Sequence, residues 1–175
     1  MYVLDIALSH VDRNVYESLN LRVPMHPSES AEYFVARVLA YCLEYTDGIM
    51  FSRGVSDADE PTLAVRDLTG ALKAWIEIGA PDAARVHKAS KAAPRVSIYT
   101  HKEPVAVRRA FVGERIHRAE FITLYAIDRD LIDEIVARLD RRLKLEITVT
   151  EGTLYVTIDG IVLTGDVVPY ALTDA

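Results

Sequence analysis

The residues of this chain that could do chemistry are acidic side chains in two neighbouring segments. The segment WIEIG (75–79) places one carboxylate, Glu77, among apolar side chains typical of a sheet interior. A carboxylate in such surroundings must face solvent, pair with a cation or bind a metal. The preceding segment DADEP (57–61) supplies Asp59 and Glu60. Carboxylates that meet at one end of a sheet need a counterion, and hard oxygen ligands of this kind suit Mg²⁺ or Mn²⁺.

A predicted β-hairpin over residues 62–79 brings the two segments together. TLAVRDLTGALKAWIEIG has the pattern of two strands joined near LTG. With the turn centred on Thr69, residues whose numbers sum to about 138 are cross-strand partners, so that Glu77 lies opposite Pro61. The acids of DADEP are therefore predicted to converge on Glu77.

A helix predicted after this hairpin carries three cations. It begins near Pro81 in PDAARVHKASKAA, and Arg85, Lys88 and Lys91 form a stripe along one flank. The chain extends roughly 10 Å beyond Glu77 before the helix begins. A helix that folds back along the sheet returns about 10 Å by the time it reaches Lys88. Lys88 is therefore predicted at the level of Glu77. The alternative for Glu77 is a structural salt bridge to Arg85 or Lys88.

Two other residues are interpreted as structural. Asp67 lies at the turn of the hairpin, about ten residues along the strand path from Glu77, and is predicted to be a turn aspartate. The single cysteine, Cys42, lies in the apolar helical pattern VLAYCLEY and is predicted to be a buried thiol that packs as a small hydrophobic residue.

Several short motifs in one order carry a family resemblance. They are HPSES, FSRG, DADEP, RDLTG, WIEIG followed by PD, and the helical RVHKA, over about residues 26–100. Together they resemble the YaeQ family, whose members resemble the PD-(D/E)xK nuclease-like superfamily. The resemblance implies an α/β fold, a mixed-sheet sandwich of the restriction-endonuclease-like type with N-terminal and C-terminal hairpins. It also implies a Mg²⁺ site, with Mn²⁺ as the alternative ion.

The same resemblance implies roles for the acidic residues. In that superfamily an acid opens one strand, and an acid-x-lysine pattern lies on the next strand. Carried over to this chain, Glu60, or alternatively Asp59, is the first metal ligand, and Glu77 is the second ligand and a catalytic residue. The lysine position two residues beyond Glu77 is Gly79. The chain therefore departs from the pattern at the residue that orients or activates the attacking water.

The missing amine has a candidate on the neighbouring helix. Some nuclease-like proteins supply the catalytic amine from a neighbouring helix. Because Lys88 is predicted at the same height along the sheet as Glu77, Lys88 is the candidate catalytic residue, and Lys91 and Arg85 are the next candidates. The resemblance also makes Glu29, in the first helix, a further carboxylate, and Arg53 of FSRG an anion contact. Glu29 in a first helical turn is equally what the helix dipole favours. The acidic DADEP alone is also typical of a solvated loop.

The remaining elements follow from periodicity. YVLDIALS and VYESLNLRV flank the turn-like DRN and predict an opening hairpin, and a helix is predicted over about residues 29–46 with Ser28 as its N-cap. RVSIYTH and EFITLYAI predict strands, KEPVAVRRAF and DRDLIDEIVARLDRRL predict helices, and the strict alternation after residue 142 predicts a final hairpin or meander.

Composition limits the classes of function. The 175 residues suit one domain and half of them are apolar, as in an ordinary soluble globular protein. Because the net charge is −6, binding of a nucleic acid would require a local basic face. Residues 108–118 are the candidate for such a face, although a segment of this kind is more often a solvated surface. No leader and no membrane span are predicted, and the single cysteine suits a reducing cytoplasm.

Two hypotheses of function follow. The first is a Mg²⁺-dependent phosphodiesterase or nuclease-like enzyme built on the residues given above. The second is a noncatalytic protein on the same scaffold, which binds a metal, a nucleic acid or a protein partner. The acidic net charge and the glycine at position 79 both favour the second hypothesis.

Overall fold

The computed structural model describes residues 1–52 and 59–173. These residues form ten β-strands and four α-helices, so the predicted mixed α/β class is confirmed. They fall into two compact units, one of Met1–Val35 with Ile127–Val168, the other of Ala36–Ala126 with the chain from Pro169. The single nuclease-like domain predicted for residues 1–175 stays a prediction.

The first unit is built on five strands in the order β2-β1-β8-β9-β10. An antiparallel hairpin and an antiparallel meander make up this sheet, as predicted, and β1 pairs with β8 in parallel. The parallel pairing was not predicted, because alternation within a strand carries no information about distant partners. The strands are β1 (Tyr2–His10), β2 (Val15–Val23), β8 (Arg142–Thr150), β9 (Thr153–Ile158) and β10 (Ile161–Ala171).

Helix α4 (Arg129–Val136) packs in the first unit, where it approaches β10 closely. A Cβ atom added at Gly165 would lie 2.7 Å from Leu131 Cβ and 2.8 Å from Asp128 Cβ. The backbone N–H of Asp128 also donates to the carbonyl oxygen of Asp166 at 3.0 Å. Glycine at position 165 therefore permits this helix and strand to touch.

Helix α1 (Ala31–Leu43) is shorter than the predicted 29–46 and has a different cap. The Ser30 side chain, not that of Ser28, accepts a hydrogen bond from the backbone N–H of Tyr33 at 3.0 Å. Ser28 instead contacts the His26 ring at 2.7 Å, because its side chain lies outside the first turn. The prediction for Cys42 is confirmed: the thiol is fully buried, and burial raises its pKa to about 12.

The second unit has its strands in the order β7-β6-β5-β4-β3. The pairs β5–β6 and β6–β7 are parallel, and the pairs β3–β4 and β4–β5 are antiparallel. The strands are β3 (Ile49–Phe51), β4 (Leu63–Arg66), β5 (Leu72–Ile78), β6 (Arg95–Thr100) and β7 (Thr123–Ile127).

Two helices of this unit, α2 (Ala83–Ala92) and α3 (Pro104–Arg108), share its core with the sheet. Trp75 of β5 is buried in this core. The other buried members come from both helices, from β6 and β7 and from the chain beside them: Val86, Ala89, Ala93, Val96, Ile98, Val107, Phe111, Ile122, Leu124 and Leu172. Burial of this apolar surface holds α2 beside the strand that carries Glu77.

Candidate functional site

The turn of the β4–β5 hairpin is closed by Asp67, as predicted for a turn aspartate. Its Oδ1 accepts from the backbone N–H of Thr69 at 2.9 Å, from the Thr69 hydroxyl at 2.6 Å and from the backbone N–H of Ala71 at 3.0 Å. The Thr69 hydroxyl, followed by the Ala71 amide, lowers the pKa of the Asp67 carboxyl below its ordinary value. This side chain is therefore committed to the turn.

The register of the hairpin differs by one residue from the prediction. Arg66 pairs with Leu72, as a turn centred on Thr69 requires, but a bulge follows and Leu63 pairs with Ile76. Continued by one residue, this register places Thr62, not Pro61, opposite Glu77. A bulge adds one residue to one strand, and nothing in the alternation of this segment marks it.

Glu77 is 3% exposed, and one of its oxygens accepts three hydrogen bonds. Oε1 accepts from Trp75 Nε1 at 2.7 Å, from an Arg85 guanidinium nitrogen at 2.8 Å and from the Thr62 hydroxyl at 3.4 Å. These donors compensate the cost of removing a carboxylate from water. The salt bridge to Arg85 is the structural alternative that the sequence left open for Glu77.

Arg85 connects the acidic segment to this buried carboxylate. The same guanidinium nitrogen that contacts Glu77 donates to the carbonyl oxygen of Glu60 at 2.8 Å, and the guanidinium lies 5.6 Å from the centre of the Trp75 ring. The Asp82 carboxylate caps α2 by accepting from the Arg85 backbone N–H at 2.8 Å. The start of α2 therefore fixes the guanidinium at the end of the hairpin.

Lys88, one turn further along α2, forms an ion pair with Asp59. Its side chain is 50% exposed and that of Asp59 is 79% exposed. The hydrogen bond from Lys88 and its positive charge lower the pKa of the Asp59 carboxyl. Water screens a pair of this kind, so the pair holds Lys88 only weakly.

The structure places four of the eight predicted side chains in two ion pairs, Glu77 with Arg85 and Asp59 with Lys88. The backbone carbonyl of Glu60 accepts from Arg85, and the Glu60 side chain is exposed. Within the described ranges, no group of three or more His, Cys, Asp or Glu side chains is close enough to hold a metal ion.

The remaining predicted residues form none of the contacts described above. Lys91 is exposed on α2. Glu29 precedes α1 and lies in the first unit, so it is not in a first helical turn as predicted. The reason is that the helix begins only after Ser30. Arg53 lies outside the described residues.

Two members of the site, Trp75 and Thr62, were not predicted. Residues two apart on a strand share a face, so the order Trp-Ile-Glu already places the indole beside the carboxylate. Thr62 could have been found only with knowledge of the bulge.

The comparison with known proteins decides the family. The family model described as YaeQ protein matches residues 1–165. The chain belongs to the YaeQ family. The uncharacterized protein YaeQ of Escherichia coli (strain K12) is 27% identical over 165 residues, in an alignment that covers 91% of this chain and 88% of that protein. Its counterpart from Salmonella typhi is 26% identical over 162 residues, in an alignment that covers 90% of this chain and 87% of that protein.

Two solved YaeQ structures have the same fold. The crystal structure of YaeQ protein from Pseudomonas syringae superposes with a TM-score of 0.85 at 29% identity and covers 96% of this chain and 93% of its own. The YaeQ protein from Xanthomonas axonopodis pv. citri gives a TM-score of 0.85 at 26% identity, with 96% of each chain covered. The mixed α/β architecture is therefore that of YaeQ proteins. Among the described residues, no helix combines the length and apolarity needed to cross a membrane.

Proposed function

We propose that this YaeQ protein is a divalent-metal-dependent phosphodiesterase on a PD-(D/E)xK nuclease-like fold. One observation carries the proposal: α2 presents Arg85 and Lys88, one turn apart, to Glu77 and Asp59 at the end of the hairpin. An amine two residues beyond Glu77 is absent, and a cation from the neighbouring helix stands beside the acids instead. This arrangement supports the hypothesis that a helix residue supplies the cation that other members of the superfamily carry on the strand.

We propose Mg²⁺ or Mn²⁺ as the ion, because carboxylate oxygens are the ligands that these hard cations take. The hydrogen bonds of the Glu77 carboxylate within the described residues all end on Oε1, which leaves the lone pairs of Oε2 for a ligand. Mg²⁺ keeps several waters and binds through one or two carboxylates, so a cluster of three is not required. Glu77 and Glu60 would hold the ion, with Asp59 as the alternative. Such an ion lowers the pKa of a bound water and polarises a phosphoryl oxygen.

The other residues would position the reacting groups and stabilise the charge that develops on the substrate. The donors on Oε1 keep the Glu77 carboxylate from rotating, which fixes the direction of Oε2. Lys88 would orient the attacking water and stabilise charge that develops on the phosphate, after release from the exposed Asp59. The planar guanidinium of Arg85 matches the geometry of phosphate oxygens. Arg53 is proposed as a further contact to an anionic substrate, whereas the exposed Lys91 is given no role in this site.

A second candidate function is a noncatalytic protein that binds a metal, a nucleic acid or a protein partner. The observation that favours it is that the charges are already paired, Glu77 with Arg85 and Asp59 with Lys88. A site whose carboxylates are neutralised in this way attracts a metal ion less strongly than unpaired carboxylates do.

One set of variants separates the two candidates. Thermal stability and cleavage of bis(p-nitrophenyl) phosphate, DNA and RNA are measured with Mg²⁺ and with Mn²⁺ for wild type, Glu60→Gln and Lys88→Ala. Lys91→Ala is the matched control, because it removes an exposed cation from the same helix. The variants Glu60→Gln and Lys88→Ala avoid the buried Glu77, whose replacement would disturb folding.

The outcomes distinguish the candidates. Metal-dependent cleavage that falls at least about a hundredfold in Lys88→Ala and persists in Lys91→Ala would support the enzyme. Stabilisation by metal without cleavage of any of the three substrates would support the noncatalytic protein. The absence of any response to either ion would contradict both metal-dependent versions.

A further inference from the structure

The solvent-facing side of the sheet in the first unit carries a hollow of about 610 Å³. It lies over β1, β2, β8 and β9, and none of its lining residues belongs to the candidate site described above. Ligand pockets typically have volumes of about 300–1,000 Å³, so this hollow has the size of a small-molecule site.

Two cross-strand rows of side chains form the floor and walls of the hollow. In one row Asp5 lies opposite Asn20 on β2 and Lys144 on β8. In the other row Ala7 lies opposite Ser18 and Glu146, and Glu146 lies opposite Thr157 of β9. The short side chains of Ala7 and Ser18 lie between longer neighbours, which explains the depression in the middle of the sheet.

The polar groups of the hollow are largely available. Asn20 donates to Asp5, but within the described residues the side chains of Lys144, Glu146 and Ser18 form no hydrogen bond or ion pair. An exposed lysine and glutamate two residues apart on one strand face could have paired with each other. They leave an ammonium group, a carboxylate and a hydroxyl directed to solvent.

The charges of the hollow exclude most ligand classes. Asp5, Glu146 and Asp159 outnumber Lys144, so phosphates and nucleic acids would be repelled. A cation is disfavoured because the Lys144 ammonium lies beside the carboxylates that would bind the cation and would repel it. A lipid or a flat apolar ligand would cover the charged and polar side chains of both rows without pairing them, which is unfavourable. Ala7 is the apolar residue whose side chain faces outward, whereas Ile6 and Leu145 are buried on the other side of the sheet.

A neutral polyhydroxylated ligand matches the groups that remain. Its hydroxyls can donate to the carboxylates and accept from the ammonium and hydroxyl groups. Tyrosines stand at both sides of the adjoining row, Tyr16 on β2 with 58% exposure and Tyr155 on β9 with 41% exposure. The register connects them through Ser9 and Thr148. An exposed tyrosine ring offers an apolar face and a polar tip, which suits the C–H face and the hydroxyls of a sugar ring.

We propose that this hollow is a saccharide-binding site that recognises a neutral oligosaccharide. The site does not depend on the phosphodiesterase proposal, because it uses none of the same residues. Its binding should be weak to moderate, because the hollow is shallow and open to water.

Binding is tested by NMR and a glycan array. The ¹H–¹⁵N spectrum of the full chain is titrated with maltotriose and chitotriose, with inorganic phosphate and spermidine as charged probes, and an array of neutral glycans extends the saccharide set. We expect saturable shifts on β1, β2, β8 and β9 with at least one neutral saccharide. Glu146→Gln should weaken binding about tenfold and Ala7→Phe, which fills the hollow, should abolish it.

The control is Glu17→Gln, which removes one exposed carboxylate from the opposite face of β2 and should leave the affinity unchanged. Folding of each variant is checked by the dispersion of its spectrum. The proposal is overturned if no neutral saccharide gives a saturable response, if only phosphate or spermidine binds, or if a folded Ala7→Phe variant binds as tightly as wild type.

Discussion

Trp75 Nε1 lies 2.7 Å from Glu77 Oε1, so the single tryptophan of the chain donates a hydrogen bond to the central carboxylate of the candidate site. Both residues are buried and lie two positions apart on β5. The indole therefore helps to hold one carboxylate oxygen, Oε1, in place. It is also a natural optical reporter, because no other tryptophan contributes to the emission.

The first prediction uses this reporter. If Glu77 and Glu60 hold Mg²⁺, titration with MgCl₂ should change the emission of Trp75 along a saturable curve, since the ion alters the charge on the hydrogen-bonded carboxylate. Glu60→Gln should raise the apparent Kd about tenfold, and Lys91→Ala should leave it unchanged. Thermal stabilisation by Mg²⁺ without any change in emission would place the ion elsewhere on the protein.

The second prediction concerns the ion pair between Arg85 and Glu77. Arg85→Met should lower the free energy of unfolding by about 2 kcal/mol, because it leaves a desolvated carboxylate without its cation. The guanidinium side chain is 24% exposed, so the cost should fall below the range for a fully buried pair.

Urea denaturation of Arg85→Met, Glu77→Gln and the double variant measures this energy. The double variant should be destabilised by less than the sum of the single variants, because each single change strands the other group. Lys88→Ala is the control, and its midpoint should stay close to that of wild type because the Asp59 pair is exposed. Strict additivity would mean that the two side chains are not energetically coupled.

Local patterns predicted the elements of the site but not its pairings. The hairpin and the helix after it follow from alternation and helical spacing, and the rise per residue predicts the level of Lys88. Whether the cationic flank of the helix faces the acids could not be predicted from the sequence. Arg85, not Lys88, reaches Glu77, because the guanidinium side chain is longer and its residue is nearer the start of α2. The bulge near Arg66 and the parallel β1–β8 pairing depend on contacts between distant segments, which local periodicity does not encode.

The third prediction concerns Asp67 and the acid side of the stability curve. Its pKa in the folded protein is lowered by the Thr69 hydroxyl and the Ala71 amide. A carboxyl of this kind stabilises the fold above its unfolded pKa, and this contribution is lost as the pH falls through the folded pKa. Asp67→Ala should therefore cost stability at neutral pH and flatten the decline of stability below about pH 4.

Unfolding by urea between pH 2.5 and pH 7 tests this behaviour. Asp159→Asn is a suitable control, because it also removes an exposed carboxylate but at a residue that closes no comparable turn through its side chain, and asparagine tolerates the φ of 51° at this position. If wild type and Asp67→Ala differ by the same amount across the whole pH range, the Asp67 carboxyl does not have a lowered pKa.

The fourth prediction tests the close approach of α4 to β10. In Gly165→Ala the new methyl group would lie 2.7 Å from Leu131 Cβ, which is shorter than real contacts of this kind, so the helix or the strand must shift. Overpacking of this type costs about 1–3 kcal/mol, and the expected effect is a lower Tm with an unchanged fold. Thr164→Ala, an exposed substitution on the same strand, should change the Tm little. A Gly165→Ala variant as stable as wild type would show that α4 can move away from β10 without cost.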